Sequence, residues 1–134
     1  MKRKIIIVLT IILLTCACSG SSLKKINLKK LTNMLDKKET FVLYLTDESN
    51  DGNVLKKTLL KVSNDNNITT YYLNTEKIND DEKKDLKNIL TFDETNIIVF
   101  IKKGTEQTTL SRIDDIYISK NNLKDELKIQ GYIK

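Results

Sequence analysis

Apolar residues recur at helical spacing in four segments of the chain. Residues 23–38 form the first segment and predict an amphipathic helix. Three later stripes predict further helices, and their apolar positions are Val54, Leu55, Leu59 and Val62, then Leu86, Ile89 and Leu90, then Leu123 and Leu127. Glu76 and the run Asp80, Asp81 and Glu82 lie ahead of the third helix, where carboxylates complement the helix dipole.

Two continuous apolar runs, residues 40–46 and 96–101, predict central strands that are covered on both faces. Residues 68–73 predict a third strand, and residues 102–104 predict a hairpin turn that leads into a return strand at 107–111. The resulting order is α-β-α-β-α-β-β-α. It predicts an α/β fold with a mixed central sheet of about four strands and helices on both faces.

The N-terminus has the layout of a secretory signal. Three cations, Lys2, Arg3 and Lys4, precede eleven uncharged residues and a cysteine-containing segment of small residues. The apolar run is too short to span a bilayer comfortably, because spanning takes about 20 residues. Residues 1–17 are therefore predicted to be a signal peptide.

The segment around Cys18 resembles the lipobox of bacterial lipoproteins, since Ala17 precedes this cysteine and Ser19 and Gly20 follow it. In that family the thiol receives a diacylglyceryl group and the cysteine becomes the new N-terminus. Cys16 is the alternative lipidation site, and a third interpretation is an ordinary signal peptide with incidental cysteines. The resemblance implies a lipid-anchored protein on the extracytoplasmic face of the cell membrane, with residues 18–22 as lipidated cysteine and tether and 23–134 as the domain.

Composition excludes several kinds of chemistry. The chain has no histidine and no proline, and it has two cysteines. Imidazole-based catalysis and a four-thiolate zinc site are therefore excluded, and we predict neither cofactor nor metal. Removal of residues 1–17 takes away three of the 23 cations and none of the 18 acids, which leaves a formal charge of +2. The remaining lysines are interspersed with acids, so we predict no nucleic-acid binding.

Residues 41–45, 66–74 and 97–104 resemble the strands of the thioredoxin family, and the C-terminal residues 127–133 add to the similarity. The subgroup that the chain resembles is the bacteriocin transport accessory protein type of Gram-positive bacteria. The resemblance covers residues 23–134 and implies a thioredoxin-like three-layer sandwich.

The chain departs from this family at the redox site. The two positions of the family's Cys-x-x-Cys correspond to Asn50 and Asn53, with Asp51 and Gly52 between them. The place of the cis-proline corresponds to Thr95 or Asn96, so the peptide bond there is predicted to be trans. An amide is neither a nucleophile nor able to form a disulfide. We therefore expect a protein that is not an enzyme.

Three interpretations of the loop after the first central strand remain open. One is a polar turn, and another is a surface for a protein or peptide partner, formed by Asn50, Asp51, Asn53, Thr95 and Asn96. The third is a calcium loop, because Asp47, Ser49, Asp51 and Gly52 match the first half of such a motif. Thr58 stands where that motif needs a bidentate glutamate, which speaks against calcium.

The resemblance implies a membrane-bound accessory factor that binds a protein or peptide, in bacteriocin export or another envelope secretion system. One alternative is a self-protection lipoprotein that confers immunity or exclusion. Another is an envelope thiol–disulfide oxidoreductase, which would need a reactive dithiol.

Overall fold

A five-stranded mixed sheet runs through the centre of the molecule in the computed structural model, which describes residues 22–91, 95–110 and 120–134. Its strands are β1 (Ser22–Lys25), β2 (Phe41–Thr46), β3 (Thr69–Asn74), β4 (Ile97–Lys102) and β5 (Thr105–Leu110). The spatial order is β1-β3-β2-β4-β5. The first three strands of this order are parallel to one another, whereas β4 is antiparallel to β2 and β5 is antiparallel to β4.

The strand register gives the sheet two distinct ends. Leu45 lies opposite Ile97, so β2 finishes where β4 begins. We call this end, where the three parallel strands also finish, the carboxyl end of the sheet. At the other end Phe41 lies opposite Ile101, and Ser22 lies opposite Thr69. We call it the amino end of the sheet.

Four α-helices cover the sheet, two on each face. They are α1 (Leu28–Asp36), α2 (Asn50–Asp65), α3 (Asp80–Ile89) and α4 (Lys120–Ile129), and a 3₁₀ turn occupies Thr75–Lys77. Leu43 and Leu45 of β2 point into a cluster with residues of α1 and α3. Val42 and Tyr44 point the other way, into a cluster with residues of α2 and α4.

The two central strands carry most of the shared core. All six residues of β2 are buried, as are the first five of β4. Each fully buried Leu, Ile or Phe side chain contributes about 1.5–3 kcal/mol relative to an exposed one. Burial on both faces explains why these two segments read as unbroken apolar runs, and it confirms the predicted sandwich.

The prediction of one helix over residues 23–38 is wrong at its start. Ser22–Lys25 forms the edge strand β1, and the helix begins only at Leu28, where the Asn27 side chain caps it by accepting from the Lys30 N–H at 2.9 Å. The Ile26 N–H donates to the Tyr72 carbonyl at 2.9 Å, which continues the pairing with β3. A long-range strand partner therefore overrides the local helical spacing, and it brings the sheet to five strands.

Local capping and turn chemistry follow the sequence. Asn79 and Glu82 form a reciprocal capping box at the start of α3, in the predicted acidic turn. Gly104 has a φ of 73° in the predicted hairpin turn, and a Cβ there would overlap with the Leu35 carbonyl oxygen. Strand β5 begins at Thr105, two residues earlier than predicted.

Both cysteines, the signal peptide 1–17 and residues 18–21 of the tether lie outside the described residues. Among the helices that the structure does describe, none combines the length and the apolar character needed to cross a membrane.

Candidate functional site

Three segments meet at the carboxyl end of the sheet: the loop that leaves β2, the first turn of α2 and the residues just before β4. Thr95 and Asn96 precede β4, and Asn96 adopts a left-handed backbone with a φ of 60°. Asparagine tolerates this region better than most residues, which suits it to the position. The peptide bond between Thr95 and Asn96 is trans, as the sequence predicts.

The Asn96 side chain joins the three segments. Its Nδ2 donates to Asp47 Oδ1 at 2.8 Å and to Ser49 Oγ at 3.1 Å. Its Oδ1 accepts from Thr46 Oγ1 at 3.2 Å, from the Asp47 N–H at 3.3 Å and from the Tyr44 hydroxyl at 3.4 Å. We call Tyr44, Thr46, Asp47, Ser49, Thr95 and Asn96 the Asn96 network.

Both carboxylate oxygens of Asp47 are occupied by donors of the protein. Oδ1 also accepts from the Ser49 N–H at 2.9 Å, and Oδ2 accepts from Thr95 Oγ1 at 3.0 Å. Partial burial works to raise the pKa of Asp47, but the hydrogen bonds from Ser49, Asn96 and Thr95 outweigh it and lower the pKa to about 2. Asp47 is therefore ionised at neutral pH, and each of its carboxylate oxygens already accepts a hydrogen bond from the protein.

This arrangement weakens the calcium interpretation of residues 47–58. A calcium ligand needs carboxylate oxygens directed at the ion, whereas those of Asp47 accept from neighbouring N–H and O–H groups. Across residues 22–91, 95–110 and 120–134, no group of three or more acidic or cysteine side chains is placed to hold a metal.

Tyr44 of β2 forms a hydrogen bond to the first turn of α2. Its hydroxyl donates to the Gly52 carbonyl at 2.7 Å. Burial raises the pKa of Tyr44 to about 12, with a smaller lowering by the Thr46 hydrogen bond and a smaller raising by the Asp47 charge. The hydroxyl therefore stays protonated and acts as a donor, not as a base.

Gly52 allows the first turn of α2 to pack closely against the Asn96 side chain. Ser49 caps this helix by accepting from the Gly52 N–H at 3.3 Å. A Cβ at Gly52 would overlap with Asn96 Oδ1 and would lie 2.9 Å from Thr46 Oγ1. Only glycine allows this close approach between the helix and the network, although glycine is normally unfavourable inside a helix.

The structure brings the sequence-predicted positions to one end of the sheet. Asn50, Asp51 and Asn53 lie in the first turn of α2, and Asn53 Nδ2 donates to the Glu48 carbonyl at 3.5 Å. Thr95 and Asn53 are exposed, whereas Asn96 is half-buried. Their role in partner binding stays a prediction.

Sequence reasoning missed the network that positions these residues. It did not single out Tyr44 or Thr46, and it considered Asp47, Ser49 and Gly52 as parts of a polar turn or of a calcium loop, with Gly52 also between the two positions that match the family's cysteines. The available signal was a run of capping residues directly after a buried strand, which marks a helix N-terminus.

The surface around the network combines one apolar side chain with several charges. Val54, which follows Asn53 at the start of the second turn of α2, is 50% exposed. Glu48 has a left-handed backbone with a φ of 57°, and its carboxylate lies 3.9 Å from Lys77 Nζ. A non-glycine residue in this conformation costs about 1–3 kcal/mol, and such residues often mark functional sites.

No protein-family model and no curated protein matches the chain. Among solved structures, it is similar to thioredoxin O2 from Arabidopsis thaliana, with a TM-score of 0.61, 16% identity and coverage of 81% of this chain and 94% of that chain. It is also similar to thioredoxin f2 from Chlamydomonas reinhardtii, with a TM-score of 0.62, 13% identity and coverage of 84% and 100%. It is similar as well to a thioredoxin from Malassezia sympodialis, with a TM-score of 0.60, 12% identity and coverage of 82% of this chain and 91% of that chain.

These comparisons show a thioredoxin-like α/β fold and confirm the predicted fold class. At such low identity the similarity is one of fold, and a fold by itself does not show an activity. The two cysteines lie outside the described residues.

Proposed function

We propose that the protein is a lipid-anchored bacterial accessory protein whose thioredoxin-like domain binds a protein or peptide at the carboxyl end of the sheet. The observation that carries this proposal is the Asn96 network. At the place where the resembled family has a dithiol and a cis-proline, this chain has amide, hydroxyl and carboxylate groups that hydrogen-bond one another.

The chemistry of the network favours binding over catalysis. Asp47 is ionised and Tyr44 is protonated at neutral pH. Ser49 Oγ accepts from Gly52 and Asn96, while the carboxylate of Asp47 accepts from the Ser49 backbone and not from its hydroxyl. Activation of a serine nucleophile needs a base on its hydroxyl. A surface whose side chains are already held in place loses little conformational freedom when a partner binds.

The exposed groups at this end indicate the chemistry of the partner. Val54 offers an apolar contact beside the polar Asn53 and Thr95. The exposed carboxylates of Glu48 and Glu76 follow β2 and β3 at this end, and Lys77 Nζ lies 3.9 Å from the Glu48 carboxylate. Complementary potentials steer association between proteins. We therefore propose a peptide segment with basic and apolar residues, in the bacteriocin-export or envelope-secretion setting that the sequence resemblance implies.

Site-specific photo-crosslinking tests the proposed surface. A photoreactive amino acid replaces Val54 in one variant and Leu60 in the control, since both are exposed apolar residues of α2, at 50% and 40%. We expect a discrete partner adduct at position 54 in intact cells and none at position 60. The same adducts at both positions, or none at position 54, would contradict a partner site at the carboxyl end of the sheet.

The thioredoxin-fold neighbours keep a thiol–disulfide oxidoreductase as the second candidate. Thiol labelling of the cell-derived protein separates the two, because an oxidoreductase of this type needs a dithiol. We expect no reactive thiol in the lipidated product and no reduction of insulin disulfides. Catalytic reduction by the purified protein would favour the second candidate.

A further inference from the structure

The carboxyl end of the sheet carries charges of both signs among the described residues. Its carboxylates are Asp47, Glu48, Glu76, Asp80, Asp81 and Glu82. Three of its lysines lie at 3.9 Å from single acids, in the pairs Lys77–Glu48, Lys83–Asp80 and Lys84–Asp81. Lys29 and Lys30 are exposed in the first turn of α1 at the same end, so acids and lysines nearly balance there.

The amino end of the sheet presents four exposed lysines on adjoining segments. Lys37 and Lys38 follow α1, and Lys102 and Lys103 lie at the β4–β5 turn. The turn is fixed against the end of α1, because the Gly104 N–H donates to the Glu39 carbonyl at 2.9 Å and the Lys103 N–H donates to Thr40 Oγ1 at 3.0 Å.

These ammonium groups are available to an outside anion. Lys102 Nζ donates to the Gln130 carbonyl at 3.2 Å. In the part of the chain that the structure describes, none of the four lysines forms an ion pair within 4.0 Å. The neighbouring acids along the chain are Asp36, Glu39 and Glu106, one fewer than the lysines, and Glu106 accepts from the Thr91 N–H at 2.8 Å.

The chain also enters the domain at the amino end of the sheet. Ser22 pairs with Thr69, and β1 runs parallel to β3 and hence to β2. Only four residue steps separate Cys18 from Ser22, a span of at most about 14 Å. A lipid on Cys18 would therefore lie within about 14 Å of the start of β1, which is at the opposite end of the sheet from Asn96.

We infer that the amino end of the sheet docks on the anionic phospholipid headgroups of the anchoring membrane and turns the candidate site away from it. This inference rests on the lipid anchor in the proposed function. Basic residues beside a lipid anchor strengthen adsorption to an anionic surface, by about fivefold per lysine. A six-residue strand holds the candidate site about 20 Å farther out.

The test measures which end lies at the membrane. Cell-derived lipoprotein is reconstituted into vesicles of phosphatidylglycerol and phosphatidylcholine. Single cysteines are introduced as Thr105→Cys at the amino end and Asn53→Cys at the carboxyl end, both at exposed positions. A fluorophore on each is quenched by lipid with a spin-labelled headgroup. We expect quenching at position 105 to exceed that at position 53 at least threefold, and equal or reversed quenching would overturn the inference.

Charge-matched variants test the role of the lysines. The amino-end variant combines Lys37→Gln, Lys38→Gln, Lys102→Gln and Lys103→Gln, and the control combines Lys77→Gln, Lys83→Gln, Lys84→Gln and Lys87→Gln. We expect the ratio of quenching at position 105 to quenching at position 53 to fall by at least half in the amino-end variant. The same fall is expected for the unchanged protein on vesicles of pure phosphatidylcholine, whereas the control variant should keep the full ratio. A ratio that is unchanged in the amino-end variant would overturn docking through these lysines.

Failure of the inference is distinguishable from failure of the proposed function. An intact mass that lacks the diacylglyceryl group would overturn the anchor and the docking together. An anchored protein without the quenching asymmetry would overturn the docking alone. The asymmetry without a partner adduct at position 54 would support the docking and overturn the partner site alone.

Discussion

Replacement of Asn96 by alanine is the strongest test of the Asn96 network. The substitution removes two donor bonds, to Asp47 at 2.8 Å and to Ser49 at 3.1 Å, and three weaker acceptor bonds. A hydrogen bond to an ionised group contributes about 1.5–3 kcal/mol and a neutral one about 1 kcal/mol. Alanine at a φ of 60° adds backbone strain of about 1 kcal/mol. We expect a loss of about 3–5 kcal/mol in the free energy of unfolding.

Two further substitutions at Asn96 separate the contributions. Asn96→Gly loses the same hydrogen bonds but avoids the backbone strain, so it should be less destabilising than Asn96→Ala. Asn96→Asp keeps the shape but sets a carboxylate oxygen against Asp47 Oδ1, where Nδ2 now lies at 2.8 Å. Two carboxylates at this distance share a proton at low pH. The Asn96→Asp variant should therefore lose stability as the pH rises from about 4 to 7.

Urea unfolding followed by far-ultraviolet circular dichroism measures these effects, since the chain has no tryptophan. Asn33→Ala, on the exposed face of α1, is the matched control and should change stability by less than about 0.5 kcal/mol. A loss below about 1 kcal/mol for Asn96→Ala would refute the view that Asn96 holds the three segments together.

Three other changes probe the same end of the sheet. Because the pKa of Asp47 is lowered from 3.8 to about 2 in the folded state, its stabilising contribution is present above about pH 4 and disappears as the pH falls towards 2. With solvent screening, the contribution of Asp47 to the free energy of unfolding is about 1 kcal/mol. Asp47→Asn should therefore flatten the curve of stability against pH between about pH 2 and 4, as measured by urea unfolding. Gly52→Ala should destabilise the protein by about 1–3 kcal/mol in thermal unfolding, because the alanine Cβ would overlap with Asn96 and Thr46. This loss should exceed the gain from the better helix propensity of alanine. Equal stability of the variant would contradict the packing described for α2. The double variant Asn50→Cys and Asn53→Cys should form a disulfide in glutathione buffers. The pH dependence of alkylation should show a pKa below about 8.5 for the thiol at position 50. Two thiols that react independently would contradict the match of these positions to the family's dithiol.

The central strands could be predicted from sequence because each buries both faces. Residues 41–46 contain no exposed position, so composition alone identifies the segment. Strand β1 could not be predicted in this way. Leu23 and Ile26 fit a helical stripe, and their pairing with β3 depends on residues more than 40 positions away. Asn27 was the one local signal that the helix starts later, since its side chain caps α1.

The candidate site was predictable in position but not in construction. Counting from the strand places residues 50–53 and 95–96 at the same end of a mixed sheet, as the structure has them. The hydrogen bond from Asn96 to Asp47 spans 49 residues and depends on the left-handed backbone of Asn96. Neither spacing nor propensity encodes such a contact, because it follows from the relative placement of β2, α2 and β4.

The carboxyl end of the sheet holds an anion whose charge is constant at physiological pH. The N-terminus of a helix favours a negative charge, and in the resembled family that charge belongs to a thiolate whose protonation and bonding change during the reaction. Here the anion beside the start of α2 is Asp47, whose pKa of about 2 keeps it ionised throughout the physiological range. Tyr44, with a pKa of about 12, stays neutral over the same range. The charges of these two groups therefore stay constant over that range, which agrees with the binding surface that we propose.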